Sequence, residues 1–146
     1  TFIIIHLLVF SYQRYFFYQM FFKPHLFLWR RDTIKDCIFC KIIKRKVPTE
    51  IIYENEHVIS FYGLTSIADV HVLVVLKKHI ENIMDIGEED GIIITEIHKA
   101  FQVIAKKFGI DKSGFRVLTN TGKHGQQEIY HMHYHLVGGR QLKWDM

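Results

Sequence analysis

Hydrophobic and polar positions along the 146-residue chain fall into five short runs with strand character and one long run with helical character. Ile51-Ile52-Tyr53-Glu54 and Val58 to Phe61 read as two strands joined by the polar Asn55-Glu56-His57 turn. His71-Val72-Leu73-Val74-Val75-Leu76 is a continuous apolar run, the pattern of a strand buried on both faces at the centre of a sheet. From Gly91 to Phe108 the apolar residues Ile93, Ile97, Ala100 or Phe101, Ile104 and Phe108 recur at helical spacing, and Gly109 stands where a C-terminal cap belongs. Phe115 to Asn120 predicts a fourth strand, Thr121 to Gln127 a polar loop, and His131 to Val137 a fifth strand. Cys37 to Ile43 alternates poorly and suits a short helix or turn ending before Pro48. Strands without a strand-helix-strand rhythm predict an α+β domain: a five-stranded, mainly antiparallel sheet with one main helix and a short N-terminal helix.

Composition divides the chain near residue 31. Thr1 to Arg31 holds 11 of the 21 aromatic residues and four basic residues with no acid. The remainder is then balanced, with fifteen basic and fifteen acidic residues, so the net charge of +4 is no whole-domain nucleic-acid footprint. The first apolar run, Phe2 to Phe10, is well short of the ~20 residues that span a bilayer. A targeting signal, an interfacial membrane anchor and a non-native extension compete for residues 1–31. We expect an aromatic, basic appendage outside the core and a single domain over 32–146. Cys37 and Cys40 are the entire thiol inventory, which is no disulfide framework and suits a reducing, cytoplasmic setting or a metal site.

Candidate chemistry concentrates in His131-Met132-His133-Tyr134-His135-Leu136-Val137. On a strand the three imidazoles project from one face, and Met132, Tyr134 and Leu136 from the other, into a core. Crowded imidazoles disfavour one another's protonation, which keeps at least one neutral and nucleophilic. Such a set suits either metal binding or attack on phosphorus or a carbonyl. Gly138-Gly139 lets the backbone turn sharply beside it. Cys37-x-x-Cys40 by itself is ambiguous between metal, redox chemistry and coincidence, although no thioredoxin-like setting surrounds it. His98, on the polar side of the long helix, reads as solvated.

These residues resemble the histidine triad family of hydrolases and transferases, whose signature His-x-His-x-His with two apolar residues stands at His131 to Val137. Further matches are Ile38-Phe39 with Lys41-Ile42, His71-Val72-Leu73-Val74 with Lys77-Lys78-His79-Ile80, and Asn120 eleven residues before His131. The ending Gly138-Gly139-Arg140-Gln141-Leu142-Lys143-Trp144 looks like the nucleoside-phosphoramidase branch called Hint. The resemblance covers roughly Cys37 to Trp144. It implies cleavage of a purine nucleoside phosphoramidate, or a related ester or anhydride, at the α-phosphorus. His133 is then the nucleophile that becomes nucleotidylated, and His135 and His71 position it and bond the phosphoryl oxygens. Asn120 adds a neutral donor, and no metal is needed for the chemical step. Ile38, Phe39, Ile42, Phe61 and Leu64 would hold the base, with Gln127 also at the nucleotide.

The resemblance also implies a second site, since in some bacterial-type members two such cysteines bind zinc with the His after the lysines and the first His of the triad. Here those positions are Cys37, Cys40, His79 and His131, a closed thiolate–imidazole set of structural character. Family members usually pair as homodimers. The chain departs from the family pattern in three places. Gly63 replaces an acid that often grips the ribose, Gln126-Gln127-Glu128 replaces Gly-Gln-Ser, and Thr65 to Asp69 lacks the usual prolines. Gly63 and Glu128 motivate one alternative to phosphoramidate hydrolysis, a nucleotide-binding regulatory or scaffold protein with weak catalysis, and a dinucleoside polyphosphate hydrolase of the same family is another. A third alternative makes the His triplet itself a catalytic metal site.

Overall fold

The computed structural model describes residues 34, 36–63 and 67–143. The expectations for residues 1–31, and for Leu64 and Trp144, lie outside the described residues. Helix α1 spans Ile38–Ile43, and strands β1 to β3 span Ile51–Glu54, Val58–Tyr62 and Val70–Leu76. Two short 3-10 turns lead into helix α2, Gly91–Lys107, and β4 (Phe115–Leu118) and β5 (His133–Gly138) complete the chain. The strands form one five-stranded antiparallel sheet in the order β1-β2-β3-β5-β4. This is the α+β architecture expected from the sequence, with β3 at the centre.

The centre position explains the unbroken apolar run of β3. Its alternate residues serve two cores. Val72, Val74 and Leu76 join Val58, Met132 and Leu136 against Ile93, Ile97, Ala100, Phe101 and Ile104 of α2. Leu73 and Val75 join Ile59 and Phe61 against Cys37, Phe39, Cys40 and Ile42 from α1 and its N-terminal flank. Both faces are therefore covered, each by one helix.

Local chemistry sets the element ends. Asn55 turns β1 into β2 by accepting bonds from His57 N and Val58 N at 2.9 Å each. Lys78 donates to Asp90 at 2.6 Å, and the same carboxylate accepts from Gly87 N at 3.1 Å. That contact pins the entry of α2 to the segment leaving β3, and the Lys78 ammonium holds the Asp90 carboxyl below its usual range. At the other end Gly109 (φ +66°) donates to Lys106 O, and Ile110 donates to Ala105 O. This pair of bonds is a Schellman cap, with buried Ile110 as its hydrophobic contact.

Strand ends differ from expectation by one or two residues: β2 runs on to Tyr62, β3 begins at Val70 and β5 runs on to Gly138, while two ends fall short. β5 begins at His133 rather than His131, because the backbone at Met132 bonds outward to Ile80 O and its carbonyl to Leu76 N at 3.5 Å, at the edge of ladder geometry. β4 ends at Leu118, where Thr119 bonds the His133 carbonyl with its side chain instead.

The cap gives a direct test. Gly109→Ala places a Cβ in the left-handed region, and we expect it to destabilise the fold by about 1–2 kcal/mol in urea unfolding with no effect on ligand binding.

Candidate active site and metal-ligand cluster

The pairing of β3 with β5 sets Leu73 opposite His135, Val75 opposite His133 and His71 opposite Val137. Residues directly opposite share a face, so His71, His133 and His135 all emerge on the α1 side of the sheet. His71 and His135 are diagonal neighbours, with His71 Nε2 2.9 Å from His135 Nδ1 and the rings nearly parallel at 22°. His133 lies beside His135, with ring centroids 5.2 Å apart.

His133 is only 7% exposed, and its Nδ1 lies 2.7 Å from the His131 carbonyl oxygen. A carbonyl can only accept, so Nδ1 carries the proton and the lone pair sits on Nε2. Burial lowers the His133 pKa, partly offset by the same backbone bond, so the ring is held neutral. A neutral imidazole with one nitrogen fixed as donor leaves the other as a nucleophile. Thr119 donates to the His133 carbonyl at 2.7 Å and ties β5 to the end of β4. A lone Thr ahead of Asn120 carries no spacing signal, so this anchor was not legible in the sequence.

His135 is pushed down to about 4, first by burial and then by repulsion from His133 and His71. The mutual suppression expected of crowded imidazoles is thus present, with desolvation as the larger cause.

The residues expected at the base do not all stand alike. Phe39 packs edge-on against His133 at 5.0 Å and, tilted at 56°, against Phe61 at 5.8 Å, so aromatic surface adjoins the His133 ring. Phe39, Ile42 and Phe61 are buried members of the α1-side core, whereas Ile38 is partly open. Asn120 spans the base of its loop, its amide facing Gln126 O at 3.4 Å rather than a triad imidazole. Gln127 is buried and spends its amide inside the protein: it donates to Glu81 O at 2.7 Å and Ile129 O at 3.2 Å and accepts from Gly122 N at 2.9 Å. It braces the loop, and its polar atoms are taken. Glu128 is exposed, so its carboxylate is solvated.

A second cluster lies one residue pair away. His131 Nε2 donates to Leu76 O at 2.7 Å, which leaves the Nδ1 lone pair facing the cysteines. His131 Nδ1 is 3.4 Å from Cys37 Sγ, 3.5 Å from Cys40 Sγ and 3.1 Å from His79 Nδ1, and Cys40 Sγ is 3.2 Å from His79 Nδ1. All four ligand atoms lie within 4.8 Å of one another. A tetrahedral ion with bonds of about 2.0–2.1 Å to nitrogen and about 2.3 Å to sulfur has edges of about 3.3 Å and about 3.5 Å between its ligands. Four of the six edges, from 3.1 to 3.5 Å, lie close to these, so the four residues could hold a metal ion. Burial pushes the Cys37 thiol up to about 12 and lowers His131 to about 4. A bare thiolate is costly there, and a divalent cation supplies the missing charge.

Fold and site together define a sheet-borne histidine site backed by a thiol–imidazole cluster. The HIT domain family model matches residues 44–142. The chain is 42% identical over 105 residues to an uncharacterized HIT-like protein of Buchnera aphidicola, covering 72% of this chain and 94% of that protein. It is 35% identical over 108 residues to the purine nucleoside phosphoramidase of Escherichia coli K12, covering 74% and 91%. Among solved structures it resembles a HIT family hydrolase from Clostridium thermocellum, with TM-score 0.75, 42% identity, and coverage of 78% of this chain and 99% of that one. The chain belongs to the HIT domain family.

The site electrostatics are testable in the free protein. By imidazole NMR we expect His135 to titrate with a midpoint of about 4. An unfolded His titrates near 6.5, so between these values the unfolded chain binds more protons. Stability contributed by His135 is therefore complete above pH 6.5 and lost as pH falls towards 4. A His135 midpoint at the ordinary value would show that the ring is solvated and its neighbours distant.

Proposed function

We propose that the protein is a hydrolase and nucleotidyl transferase that cleaves purine nucleoside phosphoramidates at the α-phosphorus. The observation that carries this reading is the His133 Nδ1 bond to the His131 carbonyl, which leaves a neutral Nε2 as the nucleophile. In the first step the Nε2 lone pair forms a bond to phosphorus, and the phosphorus–nitrogen bond to the leaving amine breaks. The amine departs with a proton delivered from solvent or the His71–His135 pair. In the second step water attacks phosphorus and gives up a proton to solvent or the His71–His135 pair, the bond to Nε2 breaks and the nucleoside monophosphate is released. Imidazole serves as both nucleophile and leaving group, so one difficult displacement becomes two easier ones.

The paired imidazoles of His71 and His135, one donating to the other, leave one N–H to face outward on the side of the sheet where the phosphoryl oxygens would lie. Phe39 and Phe61, with Ile38 at the open margin, offer an apolar wall for the base. The purine phosphoramidate assignment draws on the 35% identical relative from Escherichia coli.

Zinc is the ion proposed for Cys37, Cys40, His79 and His131. Two sulfurs and two nitrogens in a closed tetrahedral set suit a structural zinc, with no position left for water. Its role is to fasten the α1 turn to the residue whose carbonyl fixes His133, and it takes no part in the reaction. A homodimer is the proposed assembly, and β4, an edge strand of the described sheet with a partly exposed Phe115, is a surface where a second copy could continue the ladder.

Two experiments test these assignments. With an adenosine phosphoramidate radiolabelled at phosphorus, rapid quenching should leave label on His133, and His133→Ala should lose label and at least about a thousandfold in kcat. Undiminished turnover by His133→Ala would remove the nucleophile assignment, and intact nucleotide binding without turnover in the parent would favour a regulatory protein. For the metal, elemental analysis should find one zinc per chain, and chelation should lower the melting temperature by at least about 5 °C. Zinc-free protein with an unchanged melting temperature would refute the structural role.

A further inference from the structure

Among the described residues, two that are not glycine have a positive φ, Arg45 (+58°) and Gln126 (+57°). Arg45 closes a helix: its N–H donates to Ile42 O and that of Lys46 to Lys41 O, the bonds of a helix end, and its guanidinium pairs with Glu54. Gln126 closes no helix. The left-handed region crowds a Cβ, so a glutamine there holds its side chain in a conformation whose strain glycine would relieve.

The loop imposes this conformation. Gln126 N–H donates to Lys123 O at 3.0 Å, and Gln126 O accepts from the Asn120 amide at 3.4 Å. Gln127 N–H donates to Gly122 O at 3.0 Å, and its side chain turns inward to Glu81 and Ile129. The turn thus buries one glutamine and leaves the other exposed. Among the described residues the Gln126 carboxamide has no hydrogen-bond partner, so it is available to a ligand.

Gln126 stands at the His133 site through Asn120. Leu118 pairs with His135, so the same register carried two residues on sets Asn120 opposite His133, and Thr119 between them donates to the His133 carbonyl. The strand order β1-β2-β3-β5-β4 fixes which flank this is. Phe61 belongs to β2 and packs with Phe39, so the apolar wall stands on the β2 flank of His133 and the loop on the β4 flank. A nucleoside phosphoramidate runs from base to sugar to phosphorus to amine. With phosphorus at His133 and the base against the wall, the amine lies towards the β4 flank.

We propose, on the phosphoramidate reading above, that Gln126 is a specificity-determining residue for the leaving amine. Its carboxamide bonds an amine that bears a neutral amide, as an amino-acid amide or the N-terminus of a peptide does. A carboxamide offers a donor and an acceptor side by side, which is the complement of another amide. Charge favours the same class. Lys123 and Glu128, both exposed, flank the residue with opposite signs and offset one another, which leaves little to draw a charged substituent.

The test compares adenosine phosphoramidates of glycinamide and of isobutylamine, its apolar isostere, with the full chain, Gln126→Gly and Gln126→Ala. The preference for glycinamide, taken as the ratio of the two kcat/KM values, should fall about fivefold in both variants. Gln126→Gly relaxes the backbone and Gln126→Ala keeps a Cβ there, so equal falls assign the effect to the carboxamide. In urea, Gln126→Gly should unfold at a midpoint no lower than the parent's, because the loop loses a strained Cβ and no bond. An unchanged ratio in either variant, or equal losses on both substrates, would overturn the proposal and leave the hydrolase reading standing. A Gln126→Gly midpoint well below the parent's would make the side chain a structural brace and overturn it too. A parent that turns over neither phosphoramidate would remove the hydrolase reading, and this proposal with it.

Discussion

The antiparallel register between β3 and β5 is the constraint from which the rest of the site follows. One alignment puts Val72, Val74, Tyr134 and Leu136 on the side of α2 and His71, His133 and His135 on the side of α1. A slip of one residue would send the imidazoles into an apolar core and the branched residues towards the site. The register is secured because each face is buried: apolar β3 residues meet a helix on either side, and a polar ring on the wrong face would be left without partners.

On that frame the two side-chain clusters are linked by very little chain. His131 offers its ring to the thiols and its carbonyl to His133, so one residue belongs to both. The linkage is short and buried, and each nitrogen in it has an assigned partner. His131 Nε2 meets Leu76 O, its Nδ1 the sulfurs, and His133 Nδ1 the His131 carbonyl. Among the described residues no buried side-chain nitrogen or oxygen lacks a hydrogen-bond partner, which is how so polar a cluster survives inside the protein.

Much of this was legible in the sequence, for physical reasons. The period of α2 and the unbroken apolar run of β3 are large signals, because a long amphipathic face and a doubly buried strand leave no other arrangement of their residues. Alternation in the triad placed three imidazoles on one side even though His131 falls outside the regular strand, since a residue just before a strand still follows its pleat. What the sequence could not carry are contacts made across the fold. Gln127 meets Glu81, 46 positions away, and nothing in its local pattern distinguishes a side chain bonded to backbone from one bonded to a ligand. Gly63 likewise reads as a missing acid in one dimension, and only three dimensions show the His71 ring lying against it. The cysteine pair was ambiguous alone and gained meaning from two histidines distant in the chain.

That distance has a temporal side. Cys37 and His131 are separated by 94 positions, and His79 lies between them. During synthesis the thiols emerge early, the first imidazole follows, and the last arrives only with the segment that leads into the final strand. Until β5 has docked beside β3, any ion held by the thiols lacks its fourth partner. The completed cluster is therefore a record of finished assembly, closed by the same segment that delivers His133.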